Sequence, residues 1–274
     1  MIREPVVAGT FYPDDPEELR SAVGGFLDAS GASPEPGAIG IVSPHAGYVY
    51  SGAVAGAAFA SAPDGIGTVV VVAPPHRVAV DGFSVYEGEG FRTPLGVAPP
   101  ATEVTRRLAA AGCIFQPAAH AREHSAEVQL PFVQVRWPGA RVAVVLQGDA
   151  SGRASKRLAG MLHLALGRAE GCLVVASTDL SHYHPLRTAE LLDGAVIEAW
   201  LGGDPDGLEA VIRGGRGEAC GAGPMLTLMH YAALRGARSF RGVRYDTSAA
   251  AGGDASAVVG YFAGLVSAGG GFAT

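Results

Sequence analysis

The sequence predicts an α/β fold in which helices flank a central mixed, mostly parallel sheet. Short apolar runs rich in β-branched residues recur along the chain and are too short for helices, so they indicate buried strands. Longer segments of helical character separate these runs, as expected when helices cover both faces of a parallel sheet. A chain of 274 residues can bury a substantial core, and we expect one domain over residues 1–274.

Four apolar runs predict the buried strands: Ala38–Ser43, Thr68–Ala73, Val142–Leu146 and Leu173–Ser177. Three strand-like segments are expected to extend the sheet: Phe83–Glu87, Ser239–Tyr245 and Ala257–Ala263. Helices are predicted at Pro16–Leu27, Ser51–Ala62, Ala101–Gly112, Gly152–Arg168, Leu186–Gly202 and Gly223–Leu234. Another helix opens at His124, where Ser125 is the candidate N-cap, as Ser51 is for its own helix.

Composition and simple motifs exclude several classes of function. The formal net charge of −6 argues against nucleic acid as a partner. There is no signal-peptide core or transmembrane run, so we expect a cytoplasmic protein without membrane contact. The three cysteines are widely spaced, which argues against a disulfide framework or a CxxC zinc site. No GxSxG, Walker A or strand-linked GxGxxG motif occurs. A single lysine among abundant Gly and Ala suggests a GC-rich bacterial genome.

Polar side chains capable of binding a metal follow the predicted strands. His45 comes after the first strand behind Pro44, and His76 comes after the second behind two prolines. In open α/β sheets the ligand crevice lies beyond the carboxyl ends of the strands. Paired imidazoles delivered there suit a metal ion, although a histidine in such a loop can also simply bond to backbone.

A carboxylate is the expected third ligand, because two histidines and one carboxylate fill one face of octahedral Fe(II) and leave positions open. The candidates are Asp149, Asp179, Asp246 and Asp254, and the sequence does not choose among them. The preferred interpretation of Asp149 is that it caps the following helix.

The acid–base candidates are His182 and His124. A histidine beside a metal-bound substrate is a natural general acid–base, since its pKa lies near neutrality. Alternatively, Asp179 and Ser181, close to His182, merely cap the next helix. The position of His124 between two glutamates also suits a residue that supports a ligand.

The remaining histidines and cysteines are interpreted as structural. His120 is expected in a loop and His184 at the surface, while His163 and His230 fall within helices. Cys220 precedes a glycine-rich helix start, where the helix dipole would favour a thiolate, but it is more often a small buried apolar residue in such a setting.

Together these residues resemble the Memo family, whose bacterial members are called AmmeMemoRadiSam system protein B. The matching stretches span almost the entire chain in order: Pro5–Tyr12, Ser43–Gly52, Ala73–His76, Phe91–Leu95, Glu123–Phe132, Ser177–His182, Cys220–Gly221 and Val258–Tyr261.

The resemblance implies a fold like that of class III extradiol dioxygenases, which are non-haem Fe(II) enzymes. It identifies His45 and His76 with the metal-ligand histidines, His182 with a histidine lining the pocket, and His124 with a motif at its edge. A cysteine or glutamate in the C-terminal loop completes the site in relatives. Here Ala251 aligns with that cysteine, so Asp254 is the expected substitute. Fe(II) is the expected metal, with copper or another divalent ion as the alternative.

Three functions follow from this resemblance. The first is a dioxygenase-type oxidoreductase acting on an unknown chelating substrate. The second is a non-catalytic protein whose pocket receives a peptide or a partner loop, and the third is a protein that handles copper or iron. The family name also implies association with radical-SAM and AMMECR-type proteins.

Overall fold

The computed structural model describes residues 1–167 and 169–268, and within them it has the predicted α/β architecture. The strands are β1 (Ile2–Arg3), β2 (Ala38–Ser43), β3 (Thr68–Ala73), β4 (Phe83–Val85), β5 (Gly90–Thr93), β6 (Gly96–Ala98), β7 (Arg141–Gln147), β8 (Cys172–Ser177), β9 (His182–His184), β10 (Ser239–Thr247) and β11 (Val258–Ser267). All seven predicted strands form: Ala38–Ser43 and Thr68–Ala73 have the predicted bounds, and the other five differ at one or both ends by one to four residues.

The helices lie between these strands. They are α1 (Pro16–Asp28), α2 (Tyr48–Ser61), α3 (Thr102–Ala110), α4 (Pro117–Ala121), α5 (Leu130–Arg136), α6 (Gly152–Leu166), α7 (Leu186–Leu201), α8 (Pro205–Arg213) and α9 (Ala222–Leu234). Short 3₁₀ turns cover Glu127–Gln129 and Ser248–Ala251. Arg168, the last residue of one predicted helix, lies outside the described residues. None of the helices in the described part of the chain is long and apolar enough to cross a membrane.

The main sheet is parallel at its centre and antiparallel at both edges. Its strand order is β10-β11-β2-β8-β3-β7-β4, and β9 pairs with β11 beside it. Strands β2, β8, β3 and β7 run parallel, whereas β4, β11 and β10 are antiparallel to their neighbours. The mixed, mostly parallel sheet predicted from the apolar runs is therefore confirmed at the centre, where the four apolar runs lie.

The central strands are mainly apolar because both of their faces are buried. In β3, Val69 and Val71 belong to the core on the side of α1, α2 and α5, while Val70 and Val72 belong to the core under α6 and α9. Each of these four valines is 0% exposed. A strand covered on both faces lacks the alternation of a half-buried strand, which explains the continuous run Val69–Val72.

Two predicted helix caps are wrong. Helix α2 begins at Tyr48 with Gly47 as N-cap, and the Ser51 hydroxyl donates instead to Ala46 O. The helix predicted from His124 starts at Leu130, and the Ser125 hydroxyl donates to Pro74 O, 2.7 Å away. In both places a serine bonds back to the loop that follows a central strand, so tertiary contacts displace the local capping preference.

The alternative in which Asp179 and Ser181 cap helix α7 is also wrong. Pro185 precedes α7, and no side chain caps it. The Asp179 carboxylate accepts a hydrogen bond from His45 N instead, at 2.8 Å. Asp149 accepts from Ser151 N, but the side chain that caps α6 is that of Ser151 itself.

Candidate metal site

Three loops at the carboxyl ends of neighbouring strands build one site. His45 follows β2 and His76 follows β3, while β8 lies between these strands and is followed by Asp179. A fourth segment, before the 3₁₀ turn Glu127–Gln129, brings Glu123 and His124 to the same place. The parallel centre of the sheet thus delivers side chains that are distant in sequence to one edge.

Three histidines converge there closely enough to hold a metal ion. One nitrogen from each of His45, His76 and His124 lies within 4.8 Å of the others. The ring centroids are 5.1 Å apart for His45 and His76, 5.0 Å for His76 and His124, and 5.7 Å for His45 and His124. Imidazole nitrogens at such separations suit zinc, copper, iron or nickel.

A buried hydroxyl fixes the tautomer of His45. The Ser177 hydroxyl donates its only proton to Ser125 O at 2.7 Å, so it can only accept from His45 Nδ1, which lies 2.8 Å away. Gln129 Nε2 also donates to Ser177 Oγ, at 2.9 Å. His45 therefore carries its proton on Nδ1, and its Nε2 carries a lone pair.

A carboxylate orients His76 in the same way. Glu123 Oε1 lies 3.1 Å from His76 Nδ1, and the other carboxylate oxygen accepts from His76 N. His124 N and Ser125 N also donate to Oε1. Although burial raises the pKa of Glu123, these hydrogen bonds hold it below the ordinary value. The ionised carboxylate leaves His76 Nε2 as the free ligand atom.

His124 has a buried nitrogen without a hydrogen-bond partner among the described residues. Its Nδ1 lies 3.3 Å from Glu123 Oε1, but not in hydrogen-bonding geometry. The edge of the Phe11 ring packs on the imidazole, with centroids 5.1 Å apart. An unpaired buried nitrogen is costly unless something outside the protein binds it, and a metal ion would supply that partner.

The electrostatics of the site favour neutral imidazoles. Burial, with a smaller contribution from His76, lowers the pKa of His45 to about 3. Burial and the neighbouring His45 lower the pKa of His124 to about 4. A metal ligand must be deprotonated, so near neutral pH no proton competes for these nitrogens. The donor set therefore fits a transition-metal ion.

The cluster forms one wall of a cavity of about 600 Å³. Phe11 and Tyr261 supply apolar lining, and His182 also lines the cavity. The side chain of His76 is 30% exposed, so the histidine cluster is open to the cavity. A small ligand can thus reach the candidate ligands from solvent.

Comparisons with known proteins cover nearly the whole chain. The model of Memo-like proteins matches residues 3–265. The chain belongs to the Memo family. A MEMO1 family protein of Methanothermobacter thermautotrophicus is 34% identical over 95% of this chain and 99% of its own length. One from Desulfurococcus amylolyticus is 35% identical over 95% of this chain and 97% of its own, and one from Thermotoga maritima is 33% identical over 97% of this chain and 100% of its own.

The four aspartates considered as third ligands in this Memo-family chain lie outside the three-histidine group. Asp254 is on the cavity rim, but its two carboxylate oxygens accept from the Ser256 backbone N and hydroxyl, each at 2.8 Å. Asp246 accepts from Arg244 and from the N–H of its neighbour. Asp149 belongs to the start of α6.

Asp179 lies close to the cluster. Its Oδ2 is 4.0 Å from His45 Nε2, and burial raises its pKa above the ordinary value. His182, the predicted acid–base residue, lines the cavity on β9. Its neighbour Tyr183 has a φ of +61°, the only positive φ of a non-glycine residue in the part of the chain described. Backbone strain of this kind often accompanies functional sites.

Sequence reasoning misjudged or missed three buried or half-buried side chains, two of them beside His45. His120, expected in a loop, is 2% exposed on α4 and bonds to Ser84 Oγ. Ser177 was treated as the last residue of a strand, and nothing in its local sequence shows that it faces His45. Cys220 was interpreted as a buried apolar residue, yet its sulfur lies 3.4 Å from His45 Nε2.

Proposed function

We propose that this Memo-family protein holds a divalent metal ion, Fe(II) in the first instance, on His45, His76 and His124. The convergence of three imidazoles carries the proposal, because at His45 and His76 the second nitrogen is already bonded to the protein. Such supporting bonds are the usual companions of histidine ligands. This ligand set has His124 where the sequence led us to expect Asp254.

The activity that we propose is a dioxygenase-type oxidation of a chelating, dihydroxylated small molecule. When bound, the metal supplies a Lewis acid with open positions for substrate and oxygen. His182, which lines the cavity, takes the proton of a substrate hydroxyl. Phe11 and Tyr261 exclude water from the apolar part, while Glu123 keeps the His76 ring in place.

Oxygen uptake tests this activity. Protein purified without oxygen and loaded with Fe(II) should consume O₂ with members of a catechol panel. The variant His182→Ala should lose turnover and keep its metal, whereas His184→Ala, whose partner is Glu218, should retain turnover. Uptake that survives His182→Ala would refute the proton-transfer role. No uptake with any catechol by fully loaded protein would refute the oxygenase.

Metal handling is the second candidate, and the ligand set itself favours it. The group has three imidazoles and no carboxylate within the described residues, whereas the facial arrangement of Fe(II) oxygenases uses two histidines and one carboxylate. A copper- or iron-handling protein would bind its ion tightly through the same histidines. Such a protein would show no oxygen uptake with any member of the catechol panel.

A partner could also use the rim of this pocket. Val49, Tyr50 and Tyr183 line it and are exposed at 72%, 45% and 76%. This apolar rim could receive a peptide or a loop of a radical-SAM or AMMECR-type protein. Such a binding module should keep its partner affinity after the metal is removed, and Tyr183→Ser should weaken that affinity.

A further inference from the structure

A second cavity, of about 560 Å³, is lined by the first six residues of the chain, by the segment that follows β4 and by residues at and near α4. Within the described parts of the chain, it shares no lining residue with the cavity of the histidine cluster. Its volume falls in the range of about 300–1,000 Å³ that small-molecule sites occupy. None of the candidate metal ligands contributes to it, so a ligand there would be bound by different chemistry.

Three aromatic rings that pack on one another form part of the wall of this second cavity. The ring centroids lie 5.5 Å apart for Tyr86 and Phe115, 5.4 Å for Tyr86 and His120, and 5.8 Å for Phe115 and His120. Burial, with a smaller contribution from the charge of Arg3, lowers the pKa of His120 to about 4, so its ring is neutral near neutral pH. Uncharged rings of this kind pack well against a flat aromatic ligand.

Hydrogen bonds hold the first residues of the chain against the rest of the wall. Arg3 Nε donates to His120 O at 2.7 Å, and Arg3 Nη1 donates to Glu127 Oε2 at 2.7 Å. The Tyr86 hydroxyl donates to Met1 O at 3.0 Å. The cavity is therefore formed before a ligand arrives, and binding does not have to order a loop.

The carboxylate of Glu87 gives the wall an unbalanced negative charge. Glu87 lines the cavity and forms no ion pair with any residue that the structure describes. The other charged groups of the lining are each paired: Met1 N with Glu89, Arg3 with Glu127, and Glu4 with Arg92. A positive charge on a ligand would meet an unpaired carboxylate and aromatic rings, both of which attract cations. An anion would be repelled by the same carboxylate.

We propose that this second cavity is a binding site for a small aromatic molecule that carries a positive charge, such as an aromatic amine. The ring of the ligand packs against Tyr86, Phe115 and His120, and its ammonium group lies at Glu87. The site does not depend on the metal ion, because the two cavities have separate walls.

Three probes that share an indole ring and differ in charge test this proposal on the intact chain. Tryptamine is cationic near neutral pH, indole is neutral and indoleacetate is anionic. In calorimetric titrations at low ionic strength, we expect tryptamine to bind with a dissociation constant of about 1 mM or lower. Indoleacetate should bind about 3–10-fold more weakly, with indole between the two.

Two variants of equal charge change test the role of Glu87. Glu87→Gln should bring the affinities for tryptamine and indoleacetate within about 2-fold of each other, because the exposed carboxylate is the source of the preference. The matched control Glu17→Gln, in the first turn of α1 and outside the lining, should keep the wild-type preference. A preference for the cation that survives Glu87→Gln would overturn the proposal.

The variant Phe115→Ser tests where the ligand binds. Removal of this half-buried ring should weaken tryptamine binding about 10-fold. Unchanged affinity in the folded variant would place the ligand elsewhere and overturn the proposal. Equal affinities of the wild type for tryptamine and indoleacetate would also overturn it, as would no binding of any probe up to about 10 mM. If circular dichroism shows that Phe115→Ser does not fold, the exposed Glu87→Gln variant still decides the question.

Discussion

Replacing Glu123 by glutamine tests whether a residue that is not itself a metal ligand holds the histidine ligands in position. The carboxylate is 3% exposed and accepts five N–H groups: His76 N, His76 Nδ1, Arg77 N, His124 N and Ser125 N. Glutamine keeps the shape of the side chain, but one of its two terminal groups is itself a donor. The amide NH₂ of the glutamine would face N–H groups that, in the wild type, donate to a carboxylate oxygen of Glu123.

The hydrogen bonds of Glu123 determine how much stability and metal affinity the variant should lose. If the amide oxygen takes the place of Oε1, His76 N and Arg77 N lose their acceptor. At about 1–3 kcal/mol for each donor left unpaired, the variant should lose roughly 2–6 kcal/mol of unfolding free energy. Removal of a partner that orients a histidine ligand typically costs about 10–100-fold in metal affinity. His76 is the ligand affected here.

Calorimetric titration with Zn(II) and urea unfolding measure both effects. Glu127→Gln is the matched control, because Glu127 is equally buried and accepts from Arg3, Tyr12 and the backbone, but contacts no imidazole. It should lose stability and keep metal affinity. Wild-type affinity in Glu123→Gln, or an equal loss in both variants, would refute the reasoning.

Three further predictions follow from buried contacts. Ser177→Ala should weaken Zn(II) binding about 10-fold by releasing the His45 tautomer, while Ser43→Ala should not, because the Ser43 hydroxyl has no partner in the described structure. Burial lowers the pKa of His120 to about 4, so the unfolded chain binds more protons than the folded chain below about pH 6.5. Stability should therefore fall on acidification, and His120 alone should contribute about 2 kcal/mol of the loss between pH 7 and 5. Urea unfolding that is flat over this range, or equally steep in His120→Gln, would contradict this. Gly260→Ala would drive a methyl group into the buried Asp193 carboxylate and should prevent folding. The control Gly24→Ala has open space around it on α1 and should raise the melting temperature slightly. Equal melting temperatures for the two variants would refute the packing argument.

The strand-end histidines were predictable because the central strands carry their own signal. Runs such as Val69–Val72 can only be buried strands, and a proline-led histidine at the end of each run must lie at the carboxyl edge of the sheet. The alternation of strands and helices likewise gave the fold class. These inferences use local sequence only, which is why they could be made without the structure.

The completion of the site was not predictable, because it depends on contacts between distant segments. His124 comes from a loop 48 residues beyond His76 in sequence, and its place beside His76 follows from the Glu123 hydrogen bonds. Asp254 was favoured for its charge, but its carboxylate is bonded to the local Ser256. The serines expected to cap helices bond instead to loops brought near by the sheet. In the case of the two serines, the side chain bonds to a partner that only the folded chain brings near, and not to the neighbouring backbone that its local sequence favours.

Metal content of the reconstituted protein tests the central claim most directly. Wild type loaded with Fe(II) without oxygen and then desalted should retain about one ion per chain by mass spectrometry. His45→Ala, His76→Ala and His124→Ala should each lose most of it, while His230→Ala, on α9 away from the cavity, should not. The account would be contradicted if all three cluster variants retained iron. It would also be contradicted if the wild type itself retained none.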